Sequence, residues 1–131
     1  MMKIVHSCIR VLDDHRSIAW YKAAFDLDVV DQLDFEAFRL TYLANAASGF
    51  ELELTLNKTR ETPYDLGDGY GHLAFVVDDV DAHHDAMAAK GLEVGDLVDF
   101  APGGDLVARF FFATDPDGYK IEVIQKGGRF H

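Results

Sequence analysis

The sequence predicts an α+β fold built from two tandem βαβββ modules, and three observations predict it. Each half opens on an apolar run that carries a histidine at its start and closes in paired aspartates, HSCIRVLDD and HLAFVVDD. In each half a helical pattern follows that run. Each half then sets a glutamate inside its last strand, so that 47 residues separate His6 from Glu53 and 50 separate His72 from Glu122.

Taken in order, KIVHSCIRVL (3–12) alternates as a strand, and DDHRSIAWYKAAF (13–25) follows with acidic capping residues and with Ile18, Tyr21 and Phe25 at helical spacing. FRLTYLA (38–44) and FELELTL (50–56) read as strands on either side of the turn-prone Asn-Ala-Ala-Ser-Gly. Residues 58–69 hold Pro and Gly, few large apolar side chains and no period, which makes them a linker between module 1 (about 1–57) and module 2 (about 70–126). The second module repeats the order. HLAFVV (72–77) is a strand, DDVDAHHDAMAAKG (78–91) a capped helix closing on Gly91, and LEVGDLVDF, VARFFFA and YKIEVI are strands.

Bulk properties narrow the function. A chain of 131 residues with 49% hydrophobic content has the size of one domain, residues 1–131, with a sizeable core. The 12 basic against 23 acidic residues give a net charge of -11, which repels nucleic acid and anionic membrane surfaces. Cys8 is the single cysteine, so neither an intrachain disulfide nor a thiolate zinc finger can form. The N-terminal stretch is too short and too mixed for a secretory or spanning segment. A cytoplasmic protein in a reducing compartment is expected.

In FELELTLN, Leu52, Leu54 and Leu56 share one face while Glu51, Glu53, Thr55 and Asn57 share the other. Alone, such a row reads as a solvent face, and a histidine at a strand start reads as a hydrogen-bonded rim residue. The second module changes the reading. Glu122 lies between Ile121 and Val123, where a carboxylate is costly to bury without a cation. His6 and Glu53 with His72 and Glu122 supply two imidazole nitrogens and two carboxylates, a set suited to a divalent ion of intermediate hardness that also holds water. His15, His83 and His84 lack the recurrence and read as surface residues on Asp-rich helices, His131 is a chain end, and Cys8 is a small packing residue beside the site.

The segments IVHSCIRVLDDHRSIAWY, ELELTLN, YDLGDGYGHLAF and DPDGYKIEVI closely resemble the glyoxalase I (lactoylglutathione lyase) family of the vicinal oxygen chelate superfamily, over about residues 3–125. The resemblance implies the vicinal oxygen chelate (glyoxalase/bleomycin resistance) fold and carries the metal ligands onto His6, Glu53, His72 and Glu122. It implies Glu122 as the catalytic base, with Glu53 serving the opposite hand of substrate or staying a ligand, and Arg10 and Asn57 as contacts to the thiol. Nickel or cobalt is the implied metal for so short a chain, with zinc also suited. A homodimer follows as well, His6 and Glu53 of one subunit meeting the second pair of the other.

The implied reaction is isomerisation of the methylglyoxal–glutathione hemithioacetal to S-lactoylglutathione. Relatives in the superfamily also run epimerase and dioxygenase chemistry or bind small molecules without metal. A glutamate at position 53 favours glyoxalase I over the epimerase-like pattern, which usually has a glutamine there. In many relatives the loop before the final strands carries a lysine beside paired glycines, whereas this chain has Ala101-Pro102-Gly103-Gly104, and the sequence does not assign Arg109 in its place.

Overall fold

Asp13 and Asp79 start the two helices by the same chemistry: the Asp13 carboxylate accepts from the Arg16 backbone N–H at 3.2 Å, and Asp79 from that of Ala82 at 3.0 Å. The computed structural model describes every residue from Met1 to His131 and divides into two compact units, Met1–Asp65 and Leu66–His131. The first contains β1 (His6–Val11), α1 (Asp14–Phe25), β2 (Asp28–Asp34), β3 (Phe38–Ala44) and β4 (Glu51–Asn57). Its sheet runs β1-β4-β3-β2, parallel between β1 and β4 and antiparallel elsewhere. The second contains β5 (Leu73–Val77), α2 (Val80–Ala89), β6 (Val98–Phe100), β7 (Ala108–Thr114) and β8 (Lys120–Gln125), in the matching order β5-β8-β7-β6. The α+β architecture is the one predicted.

In the first unit the core gathers Ile9 and Val11 of β1, Leu52 and Leu54 of β4, Leu43 of β3, and Trp20, Tyr21 and Phe25 of α1. Alternation then leaves His6, Cys8 and Arg10 on the opposite face of β1 and Glu53 with Thr55 and Asn57 on that of β4. The second core joins Val80 and Met87 of α2 to Phe111 and Ala113 of β7 and Ile121 and Val123 of β8. A turn built by Asp115 leads into β8: its carboxylate accepts from the N–H groups of Asp117 and Tyr119, both at 2.9 Å, and Gly118 adopts φ 95°. DPDGY is therefore the device that aims β8.

Some elements differ from the reading above. The strand β2 was not anticipated, because Asp28, Asp31 and Asp34 interrupt any period of two, a bulge falls between Val29 and Asp31, and every residue of this edge strand is exposed. The segment from Leu92 forms a strand only over Val98–Phe100. Gly95 interrupts it, its N–H reaching the Phe112 carbonyl at 2.7 Å. The buried stripe of α1 runs through Asp14, Ser17 and Tyr21 rather than Ile18, since the Asp14 carboxylate is held by Arg39 at 2.7 and 2.9 Å. No helix is long and apolar enough to cross a membrane.

Candidate metal centre

β1 and β4 lie in parallel register with Cys8 opposite Glu53, which puts His6 one step along the same face. The His6 Nε2 atom stands 3.5 Å from a Glu53 carboxylate oxygen. Glu53 is buried at 9% exposure, between Cys8 of β1 and Tyr42 of β3 on the strands either side of it. Tyr42 lies opposite Glu53 in the antiparallel β3–β4 register, with its ring edge-on to that of His6 at 5.8 Å. The Glu53 carboxylate, with burial adding to its effect, pushes the phenol up to about 12.

Beside the pair, the Cys8 Sγ and Thr55 Oγ1 atoms are 3.1 Å apart. Cys8 is exposed, yet partial desolvation pushes its thiol up, the bond from Thr55 opposes that, and Glu53 adds to it, so nothing around it activates it as a nucleophile. Arg10 is exposed two residues further along β1, opposite Thr55. The Asn57 amide donates to the Tyr64 hydroxyl at 3.0 Å.

The second unit builds an equivalent pair. Ala74 is opposite Glu122 in the parallel β5–β8 register, and His72 immediately precedes β5. The His72 Nε2 atom lies 2.5 Å from a Glu122 carboxylate oxygen. Phe112 occupies the antiparallel position opposite Glu122, with the His72 ring edge-on to it at 5.1 Å. The Glu122 side chain is 15% exposed and flanked in the strand by buried Ile121 and Val123. In each unit the ion-pair partner of the carboxylate is an imidazole. Two donors per unit is the limit, since neither unit gathers three or more His, Cys, Asp or Glu side chains able to hold a metal ion.

The remaining candidates separate by environment. His15 and His131 are exposed as expected. His84 departs from the surface reading: its Nε2–H donates to the Gly95 carbonyl at 2.8 Å and its ring stands edge-on to Phe111 at 4.8 Å, so it joins α2 to the sheet. Arg109 donates to Asp81 at 2.8 and 3.1 Å and to Asp99 at 2.9 Å, and both bonds push its pKa further up. It is committed within its own unit. Tyr42 is the site residue that the sequence reading missed; aligning β3 with β7 strand by strand would have set it opposite Phe112.

The sequence profile described as the Glyoxalase/Bleomycin resistance protein/Dioxygenase superfamily matches residues 3–123. The chain belongs to that superfamily. This superfamily member is 36% identical over 131 residues to the lactoylglutathione lyase of Neisseria meningitidis serogroup A, a match covering 95% of this chain and 91% of that protein. Among solved structures it is similar to glyoxalase I from Zea mays, with a TM-score of 0.85 and 30% identity over 96% of this chain. It spans 45% of the maize chain. It is also similar to the trypanothione-dependent glyoxalase I of Leishmania major, with a TM-score of 0.79 and 29% identity over 95% of this chain and 87% of that one.

Proposed function

We propose that this chain is a lactoylglutathione lyase that isomerises the hemithioacetal of methylglyoxal and glutathione to S-lactoylglutathione. The observation that carries the reading is the doubled pair: each βαβββ unit faces one imidazole nitrogen with one poorly solvated carboxylate, at equivalent register positions. Two nitrogens and two oxygens fit a divalent ion, because the carboxylates are set among apolar strands with only an imidazole as ionic partner. His6, Glu53, His72 and Glu122 would hold it. Nickel or cobalt is favoured and zinc is compatible with the same donors. When bound, the ion supplies Lewis-acid stabilisation for the negative charge that develops on the substrate's two adjacent oxygens.

The chain's own residues do the rest. Glu122 takes the proton from the carbon bearing sulfur and returns it to the neighbouring carbon. The apolar side chains beside it on the same face, Phe112 and the buried Ile124, keep water from competing for that proton. Glu53 remains a ligand or accepts the proton from the opposite hand of substrate. Arg10 and Asn57 lie on the same face as His6 and Glu53 and contact the thiol, Arg10 through its carboxylates.

The resemblance to the superfamily favours a homodimer, in which His6 and Glu53 of one protomer would meet the second pair of its partner. The protein works in the cytoplasm. The loop at Ala101–Gly104 lacks a lysine and Arg109 is already bound by two aspartates, so neither presents a free cation to a carboxylate of the thiol. The test is elemental analysis together with thioester formation from methylglyoxal and glutathione on the same preparation. One divalent ion per site and glutathione-dependent turnover are expected. Bound metal without thiol-dependent turnover would move the chain to epimerase or dioxygenase chemistry, and absence of metal would make it a binding protein.

A further inference from the structure

The stretch after β4, expected to be a linker, begins by folding back on the first unit. The Lys58 N–H reaches the Ala37 carbonyl and the Arg60 N–H reaches the Asn57 carbonyl, both at 3.0 Å, so the chain turns as soon as the strand ends. Arg60 closes the far side of the turn. Its guanidinium donates to the Thr62 and Pro63 carbonyls at 2.7 and 3.0 Å and lies 4.2 Å over the centre of the Tyr64 ring. That clamp returns the half-buried Tyr64 to the end of β4, where its hydroxyl accepts from Asn57 Nδ2 at 3.0 Å. Asn57 also borders a groove of about 410 Å³ beside His15, Lys58, Arg60, Asp13 and Asp14, a volume that suits a small ligand. Lys58 is already engaged there, 2.6 Å from Asp34, and Arg60 is held as described, so the orientation of the neutral amide matters to whatever enters.

We infer that Tyr64 is a positioning residue of the thiol site: its hydroxyl fixes the plane of the Asn57 amide and so holds Oδ1 ready for an N–H group of the thiol. This rests on the reading of Asn57 as a thiol contact given above. The last torsion of an asparagine joins an sp³ to an sp² carbon and is broad, so an amide without a partner turns almost freely at a strand end. Committing Nδ2 to an oxygen that is itself clamped by Arg60 removes that freedom, and because the amide is planar it sets Oδ1 as well. The ordering that binding requires is then complete before the ligand arrives. Such preorganisation acts on affinity and not on the chemical step.

Tyr64→Phe tests this by removing one oxygen while keeping the ring under Arg60. In the metal-loaded, full-length protein Y64F is expected to raise KM for the methylglyoxal–glutathione hemithioacetal about fivefold, within the range of one neutral hydrogen bond, with kcat, ion content and melting temperature at the parent values. Asn57→Ala is expected to raise KM at least as much. Y64F added to N57A is expected to change nothing further, since the hydroxyl acts only through the amide. A parent-like KM in Y64F would overturn the proposal, as would a Y64F effect that persists in full beside N57A, which would make Tyr64 a direct contact. A joint fall in kcat and melting temperature would make the bond a structural tie and equally contradict it. If N57A keeps the parent KM while the parent turns over the hemithioacetal, the metal-centred reading stands and the roles of Asn57 and Tyr64 both fail. If the parent forms no thioester from methylglyoxal and glutathione, the reading of the site fails and the role assigned to Tyr64 goes with it.

Discussion

The first unit surrounds its His–Glu pair with polar groups and the second surrounds the equivalent pair with apolar ones. Cys8, Arg10, Tyr42 and Thr55 in the first stand where Ala74, Val76, Phe112 and Ile124 stand in the second, by matching register in the two sheets. The lesson concerns what a duplicated fold must keep. A parallel outer pair of strands with a histidine two residues ahead of the strand partner of a glutamate is enough to bring an imidazole to a carboxylate, whatever lies around them. Everything else on that face is free to specialise. Polar groups around Glu53 suit binding and orientation, and apolar neighbours around Glu122 suit proton transfer, although the two side chains are about equally shielded, at 11% and 15% exposure.

The sharpest way to break that comparison is to neutralise each glutamate in turn. Glu122→Gln is expected to reduce kcat by about 10²- to 10⁴-fold, the range set by loss of a general base, while the protein still binds its ion. Glu53→Gln is expected to weaken ion retention first, with part of the turnover recovered at saturating ion. Steady-state kinetics beside metal analysis checks both, and equal losses of both kinds in the two variants would make the halves interchangeable. A second experiment asks whether the halves must come from different protomers. His6→Ala and His72→Ala homodimers are each expected to be inactive, and mixing them under conditions of subunit exchange restores a fraction of the activity, since one heterodimer site then keeps all four ligands. No recovery after exchange, verified by a tagged subunit, would place the whole set within one chain.

Much of this was legible before any coordinates. The four candidate ligands stood out because period-two alternation gives a strand two faces, and a histidine and a glutamate recurred on one face in both halves. The strands around them were placed to within a few residues. β2 was hidden for a physical reason: an edge strand with a bulge and no core face carries no hydrophobic signal. Tyr42 was hidden for another. An aromatic inside FRLTYLA reads as packing, and only the cross-strand register sets it opposite a carboxylate. The Asp14–Arg39 pair was hidden because an acidic residue in the first turn of a helix is already explained by capping and the helix dipole, so nothing in the sequence marks it as buried.

That pair supplies the smallest of the expected effects and the finest comparison of the two units. Arg39 in β3 and Arg109 in β7 occupy equivalent register positions, and each reaches back to the first turn of its helix. Arg39 meets Asp14, which is 2% exposed, whereas Arg109 meets Asp81 and Asp99, both more than half exposed. Removing Arg39 strands a buried charge and removing Arg109 does not. Arg39→Met is therefore expected to cost about 3 kcal/mol of stability, and Arg109→Met to shift the melting temperature little, because solvent screens such exposed pairs. The pH dependence carries a sign. Burial alone would raise the Asp14 carboxyl, but the hydrogen bonds and charge of Arg39 outweigh it and hold the group below the usual carboxylate range. Its contribution is thus complete above the unfolded value of about 4 and disappears as pH falls through the lower folded value. In Arg39→Met the sign reverses: burial without a partner raises the carboxyl, so acidification neutralises Asp14 and narrows the gap to the parent. Thermal melts of both variants between neutral and acid pH measure this, and a gap that stays constant with pH would mean that Arg39 stabilises the unit by packing and not through Asp14.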